Sequence, residues 1–361
     1  MEHYEAIIIG FGKGGKLLAA DLGKRGKKVA LIERSAAMYG GTCINIACIP
    51  TKALIHMAKV AEYSQPDTFE EKAEAYRKAI AKKNEITAAL RKKNFDTLND
   101  MPDVDVITGV ASFISPKEIE VTTETDKMTL SGDQIFIDTG AQPVIPPIRG
   151  IRESQRVYTS TTLMETDILP ERLVIVGGGY IGLEFASMFA EFGSKVIVLE
   201  TSSGIAGRED DDVAESVRKV LESKGIELRF NARVEEIQDT DEETIVHYRD
   251  NSAQEFHDVF ADAVLVATGR KPATESLNPG AAGIATDERG AILVDERLKT
   301  TAPDVWAMGD VKGGLQNCQG SALWKRKADN RRPGTCCLFG VYRPALVQNR
   351  YDRKRSGRKG V

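Results

Sequence analysis

The feature that most restricts this 361-residue chain is a unit it carries twice. A β-branched run, Ala6-Ile7-Ile8-Ile9, meets the glycine turn Gly10-Phe11-Gly12-Lys13-Gly14-Gly15. A stretch with Leu18, Asp21 and Leu22 at helical spacing follows, and Val29-Ala30-Leu31-Ile32 ends on Glu33. The second copy runs from Leu173–Val176 through Gly177-Gly178-Gly179-Tyr180-Ile181-Gly182 into a helix with Phe185, Met188, Phe189 and Phe192 on one stripe. It closes on Val196–Leu199 and Glu200. In both copies the acid lies 23 residues beyond the first glycine. A short apolar strand, a tight turn, a helix and a return strand make a βαβ crossover, whose strands are parallel. Two such units predict an α/β chain with two dinucleotide-binding, Rossmann-like domains.

Each residue type in the unit has a task. Gly10 and Gly177 permit the tight turn, and Gly12 and Gly179 let the backbone approach a pyrophosphate. Gly15 and Gly182 allow close helix packing, while Glu33 and Glu200 accept hydrogen bonds from a ribose. A carboxylate at 200 accepts from a 2′-hydroxyl and repels a 2′-phosphate, which favours NADH. Arg208, several residues on, works against that preference and keeps NADPH as the alternative.

Between the units, 53–99 is rich in Ala, Lys and Glu and predicts a surface pair of helices; 104–121 and 128–139 alternate as strands. Pro143, Pro146, Pro147 and Gly150 form a stiff connection that marks a domain boundary. Beyond 201, a charged helix and strands at Ile226–Phe230, Thr244–Tyr248 and Ala263–Ala267 complete the second unit. No run approaches eighteen apolar residues, so no membrane-spanning helix is expected. Met1-Glu2-His3-Tyr4 runs straight into the first strand without a secretory pattern, and the expected setting is the reducing cytoplasm.

The densest motif is Gly40-Gly41-Thr42-Cys43-Ile44-Asn45-Ile46-Ala47-Cys48-Ile49-Pro50-Thr51-Lys52. A zinc site needs four ligands, and the four histidines of the chain (His3, His56, His247, His257) supply no second pair nearby, so no metal site is expected. Two buried core cysteines are the plain structural alternative. The redox reading is favoured because a following helix would hold the thiols at its N-terminus, where its dipole favours thiolate. His56 reads as a surface side chain.

Gly-Gly-Thr-Cys-(four residues)-Cys-x-Pro-x-Lys between two dinucleotide folds resembles the class I pyridine nucleotide–disulfide oxidoreductases, which include dihydrolipoamide dehydrogenase, glutathione reductase and mercuric reductase. Gly10-Phe11-Gly12-Lys13 with Cys43-Ile44-Asn45-Ile46 is most similar to the bacterial RclA-type branch, associated with defence against reactive chlorine species, hypothiocyanous acid and copper. Asp138-Thr139-Gly140, Ala267-Thr268-Gly269-Arg270 and Val305-Trp306-Ala307-Met308-Gly309-Asp310 are further family marks.

The resemblance implies FAD on the first unit and NADH, or NADPH, on the second. It implies a redox disulfide between Cys43, the substrate-facing thiol, and Cys48, the thiol nearest the flavin. Lys52 and Glu184 resemble the ion pair beside the flavin. Thr42, Lys52, Gly140, Gly269 and Asp310 fall at cofactor-binding positions. Ala47 departs from the family, which usually has Gly before the second Cys. The implied FAD domain comprises 1–151 and 273–316, interrupted by an NAD(P) domain at 152–272. The implied substrate is a small oxidant or metal ion, of the hypothiocyanous acid or Cu(II) class. Mercuric reductase or dihydrolipoamide dehydrogenase activity is the second enzyme reading, with Cys336-Cys337 superficially offering the extra pair that mercuric ion turnover uses.

The C-terminus departs from this pattern. Asn317 to Val361 carries twelve Lys/Arg against two Asp/Glu, leaving the preceding body at a net charge of −14. Family members continue into an interface domain that makes a homodimer and supplies a His-Glu pair to the partner's site. Here 51 residues follow Asp310 and none is His. The expectation is a missing dimerisation domain and a basic, atypical, disordered tail at 317–361, produced by a frameshift after Gln316. A non-catalytic flavin-binding remnant is the corresponding alternative. A nucleic-acid arm is disfavoured because aromatics are not interleaved among the basic clusters. No nucleic-acid or membrane partner is expected.

Overall fold

The computed structural model describes residues 1–313 except Gln65 and Arg208, so the expectations for 317–361 lie outside the described residues. The chain opens with β1 (Glu2–Ile9), α1 (Lys13–Gly23) and β2 (Val29–Glu33), the first expected βαβ unit. Three helices follow: α2 (Thr42–Asn45), α3 (Cys48–Tyr63) and α4 (Phe69–Asn99). Four strands come next: β3 (Val104–Thr108), β4 (Val110–Ser115), β5 (Glu118–Thr122) and β6 (Lys127–Ile137). The sheet order is β3-β2-β1-β6-β5-β4, with β1, β2, β3 and β6 parallel and the β4–β5–β6 meander antiparallel. Ile7 and Ile8 of the central β1 are fully buried, as a strand covered on both faces requires. β1 starts four residues before Ala6, because pairing of Glu2 with Leu130 extends the strand through polar residues.

After β7 (Ala141–Pro143) the chain builds a second parallel sheet. Its elements are β8 (Val157–Thr159), α5 (Ser160–Leu163), β9 (Arg172–Val176), α6 (Tyr180–Phe192), β10 (Lys195–Leu199), α7 (Asp211–Ser223) and β11 (Glu227–Arg229). An antiparallel three-stranded sheet follows, β12 (Ala232–Asp239), β13 (Thr244–Asp250) and β14 (Glu255–Ala261). Then β15 (Ala263–Val266) returns to give the order β11-β10-β9-β15-β8. β16 (Arg270–Pro272) pairs antiparallel with β7, so the outward and returning connections run side by side. β17 (Val305–Ala307) rejoins the first sheet on β6.

The helical pair of 53–99 exists as α3 and α4, but α4 is more than a surface helix. Its N-terminus is closed by a reciprocal Thr68–Glu71 capping box. Its Tyr76 is fully buried, with ring centroids 5.6 Å from Phe189 and 5.1 Å from Phe192 of α6. Leu54, Ile55 and Ala58 of α3 join the same core as Phe185 and Met188. Helices that leave the first nucleotide unit thus pack on the helix that opens the second. Among the described residues, no helix is long and apolar enough to cross a membrane.

Candidate active site

The turn that leads to the first cysteine lies directly on the first glycine loop. Gly41 has φ +81°, and a Cβ there would sit 2.6 Å from the Cα of Gly12. Only glycine combines that backbone with that approach. Cys43 then sits in the short α2, the chain reverses through Ile46 and Ala47, and Cys48 is the first residue of α3. The expectation that one helix N-terminus holds both thiols is therefore corrected. Ala47, at φ −139° and ψ −104°, leaves helical geometry and separates the two turns. Pro50 falls within the first turn of α3, where its missing N–H is not needed.

Two further residues brace this turn. Asn45 donates through Nδ2 to the carbonyls of Tyr39 and Gly41, both at 3.0 Å. Its Oδ1 accepts from Nε of Arg91 on α4 at 2.8 Å. Asn45 lies between the cysteines and is visible in the motif. Arg91 comes from a helix whose charged face gives no local sign of it.

Cys43 and Cys48 are not joined by a disulfide in this structure, and Cys43 hydrogen-bonds to Cys48. That bond is the main cause holding Cys48 down to about 6. Its own backbone N–H and the Lys52 ammonium add to the effect, while burial and Glu184 oppose it. Cys43, the donor, is pushed well above the ordinary thiol range by the bond, by burial and by the adjacent Cys48 charge; Lys13 and Lys16 of α1 oppose the rise. Cys48 is thus the thiolate and Cys43 keeps the proton. Lys52 follows Cys48 by four residues, on the same face of α3. Its Nζ lies 2.7 Å from Oε1 of Glu184 on α6, and the two side chains are 33% and 35% exposed.

The two glycine loops repeat one construction. The N–H of Phe11 donates to Glu33 Oε2 at 2.9 Å, and that of Gly178 to Glu200 Oε2 at 2.6 Å. Each strand-end acid therefore also tethers its loop. Burial raises Glu33, partly offset by the N–H bonds of Phe11, Arg34 and Ser35. Glu200 also accepts from the Ser202 N–H and hydroxyl at 2.8 and 2.7 Å. A Cβ at Gly10 or Gly177 would strike the carbonyl oxygen of Asp138 or Ala267, at 2.3 and 2.7 Å. One at Gly15 or Gly182 would strike the carbonyl oxygen of Gly10 or Gly177, at 2.3 and 2.1 Å, as close helix packing predicts.

The middle glycines differ. Nothing lies within 4 Å of a Cβ at Gly179, which is open to a ligand. At Gly12 a Cβ would meet Asp138 Oδ2 at 2.6 Å, so a side chain there is excluded by the protein itself. In the sequence Asp138 stands out only as part of the Asp138-Thr139-Gly140 family mark.

Gly140 faces Thr42, whose Oγ1 lies 3.9 Å from a Cβ at that position. The carbonyl of Gly269 accepts from the Val144 N–H at 3.0 Å. Asp310 sits in the Gly309–Lys312 turn, where its charge acts on the largely buried Arg270. Thr139 Oγ1, two residues beyond β6, is buried without a hydrogen-bond partner among the described residues. An unpaired hydroxyl at a strand end beside the first loop, and an open second loop, fit one dinucleotide on each unit. Among the described residues no three His, Cys, Asp or Glu side chains gather to hold a metal ion, and His56 is exposed on α3. Arg208 and Cys336-Cys337 lie outside the described residues.

The family described as pyridine nucleotide-disulphide oxidoreductase matches residues 4–323. The chain belongs to that family. Membership makes it an FAD-dependent oxidoreductase that works with a nicotinamide dinucleotide. The probable pyridine nucleotide-disulfide oxidoreductase RclA of Escherichia coli (strain K12) is 51% identical over 316 residues, covering 88% of this chain and 68% of that protein. A mercuric reductase of Lysinibacillus sphaericus is 34% identical over 320 residues, covering 87% of this chain and 57% of the other. A solved structure described as the Cu(II) complex of the HOCl-induced flavoprotein disulfide reductase RclA from Escherichia coli superposes with a TM-score of 0.80 at 50% identity. It matches 88% of this chain and 68% of its own.

Proposed function

We propose that this oxidoreductase draws electrons from NADH and delivers them through Cys43 and Cys48 to a small oxidant or metal ion, of the hypothiocyanous acid or Cu(II) class, in oxidative-stress defence. The observation that carries the reading is the hydrogen-bonded Cys43–Cys48 pair, with Cys48 opening α3 beside Lys52. Similarity to the HOCl-induced RclA, whose structure includes Cu(II), supports the substrate class. We assign 1–151 and 273–316 to the FAD domain and 152–272 to the NAD(P) domain. The β7–β16 pairing supports two side-by-side crossings between the units near these limits. A cytoplasmic setting belongs to the same reading.

When bound, FAD supplies a two-electron relay between the nicotinamide and the sulfur pair. Gly10, Gly12, Gly15, Glu33, Thr42, Gly140 and Asp310 would hold it; Gly177, Gly179, Gly182, Glu200 and Gly269 would hold the nicotinamide dinucleotide. Lys52 places a positive charge next to Cys48, and Glu184 fixes its direction. Toward hypothiocyanous acid, Cys43 first transfers its proton to Cys48. The Cys43 sulfur then attacks the electrophilic sulfur, and hydroxide leaves and takes up the proton from Cys48. The Cys48 thiolate next attacks Cys43 and expels thiocyanate. Two electrons leave the pair, a disulfide forms, and water and thiocyanate are released. Glu200 supports NADH because its oxygens already accept from hydroxyl and N–H donors.

Turnover of NADH with hypothiocyanous acid or Cu(II), compared among wild type, Cys43→Ser and Cys48→Ser, tests this reading. Loss in both variants is expected. Unchanged oxidant reduction in either would contradict it.

A further inference from the structure

The carboxylate beneath the first glycine loop has no task in the reaction described above. Asp138 ends the β6 side of the crevice and is 9% exposed. Its Oδ2 accepts from the N–H of Gly15 at 2.7 Å, and the N–H of Gly14 also bonds to it. Cβ atoms at Gly12, Gly14 and Gly15 would come within 2.6, 3.3 and 3.2 Å of the same oxygen. Three glycines therefore wrap one carboxylate at the N-terminus of α1. This helix end commonly compensates a dinucleotide pyrophosphate.

We propose that Asp138 is the proton-linked determinant of FAD retention: the dinucleotide binds best with Asp138 protonated, and binding takes up one proton. The inference rests on the assignment of FAD to the first unit. An ionised Asp138 already saturates the end of α1, and the pyrophosphate adds like charge beside it. The other groups acting on it add to the repulsion, namely Glu33 from the end of β2 and Asp310 from the Gly309–Lys312 turn. Among the cations on neighbouring elements, Lys13 and Lys16 act on Cys43, and Arg270 is paired electrostatically with Asp310. Burial is the main cause pushing Asp138 up to about 7, opposed by the Gly15 N–H and reinforced by Asp310 and Glu33. Added phosphate charge raises it further. Affinity is then full below that value and falls as pH rises through it.

The test is FAD release from diluted holoprotein, followed by flavin fluorescence from about pH 6 to about pH 9, where FAD's own groups do not titrate. For wild type the dissociation constant should rise with pH above about 7, with a limiting slope of about tenfold per unit. Asp138→Asn keeps an acceptor for Gly15 and should bind FAD with a flat profile. Calorimetry of FAD rebinding to wild type in buffers of different protonation enthalpy should show uptake of about three-quarters of a proton near pH 7.5, rising toward one at about pH 8, whether or not the variant folds. FAD held with a flat wild-type profile and no proton uptake overturns this inference alone, as does an unchanged slope in Asp138→Asn. No FAD bound even at pH 6 overturns it together with the cofactor assignment.

Discussion

Lys52 and Glu184 meet at 2.7 Å across the α3–α6 contact. The residue four past Cys48 is thereby tied to the helix that opens the second nucleotide loop, and the thiol pair and the nicotinamide unit share one electrostatic joint. A partly exposed pair of this kind contributes little to stability. Its effect belongs in rate. Lys52→Met should slow reduction of the thiol pair by NADH by about 10²-fold while leaving the melting temperature nearly unchanged. Rapid-mixing kinetics beside thermal melts check this.

The reduced protein should titrate asymmetrically. Alkylation of Cys48 should follow an apparent pKa of about 6, whereas Cys43 should stay protonated well above the ordinary thiol range. Cys43→Ala removes the main donor and should move the Cys48 transition upward. Because the folded value is depressed, ionised Cys48 stabilises the reduced fold fully above the unfolded thiol pKa, and that contribution is lost as pH falls through about 6. Mass spectrometry of alkylated peptides across pH reads both residues at once.

Gly41→Ala should separate cofactor loading from folding. The substitution combines φ +81° with a Cβ 2.6 Å from Gly12, and the strain falls where the cysteine turn meets the first loop. Strain of about 1–3 kcal/mol is expected there. The purified variant should show a much lower flavin-to-protein absorbance ratio with its secondary structure retained.

Much of this was legible because it repeats. Both βαβ units, their acids and the cysteine motif sit at fixed spacings, and the strand and helix periods around them are clean. The antiparallel strands were only partly legible. Thr244–Tyr248 was recognised, but a bulge between Val234 and Glu236 breaks the alternation of β12, and β14 exposes Phe256 and Phe260 among charged residues. Asp138 and Arg91 could not be weighed from the chain alone. One acts on glycines more than a hundred residues away, and the other on Asn45 across two helices. Long-range contacts leave no local period.

Nucleotide choice should reside in Glu200. Glu200→Ser removes the charge that repels a 2′-phosphate and also frees the Gly178 and Ser202 donors. The ratio of kcat/KM for NADH over NADPH should fall about tenfold, the effect of roughly 1.4 kcal/mol. Steady-state kinetics with both nucleotides checks it.

Thiol counting under anaerobic conditions tests the electron route most directly. Oxidised protein is treated with one equivalent of NADH, alkylated, and mapped by mass spectrometry. The account predicts a Cys43–Cys48 disulfide beforehand and alkylation of both cysteines afterwards. NADH oxidation without any gain of thiols at these two positions would contradict it.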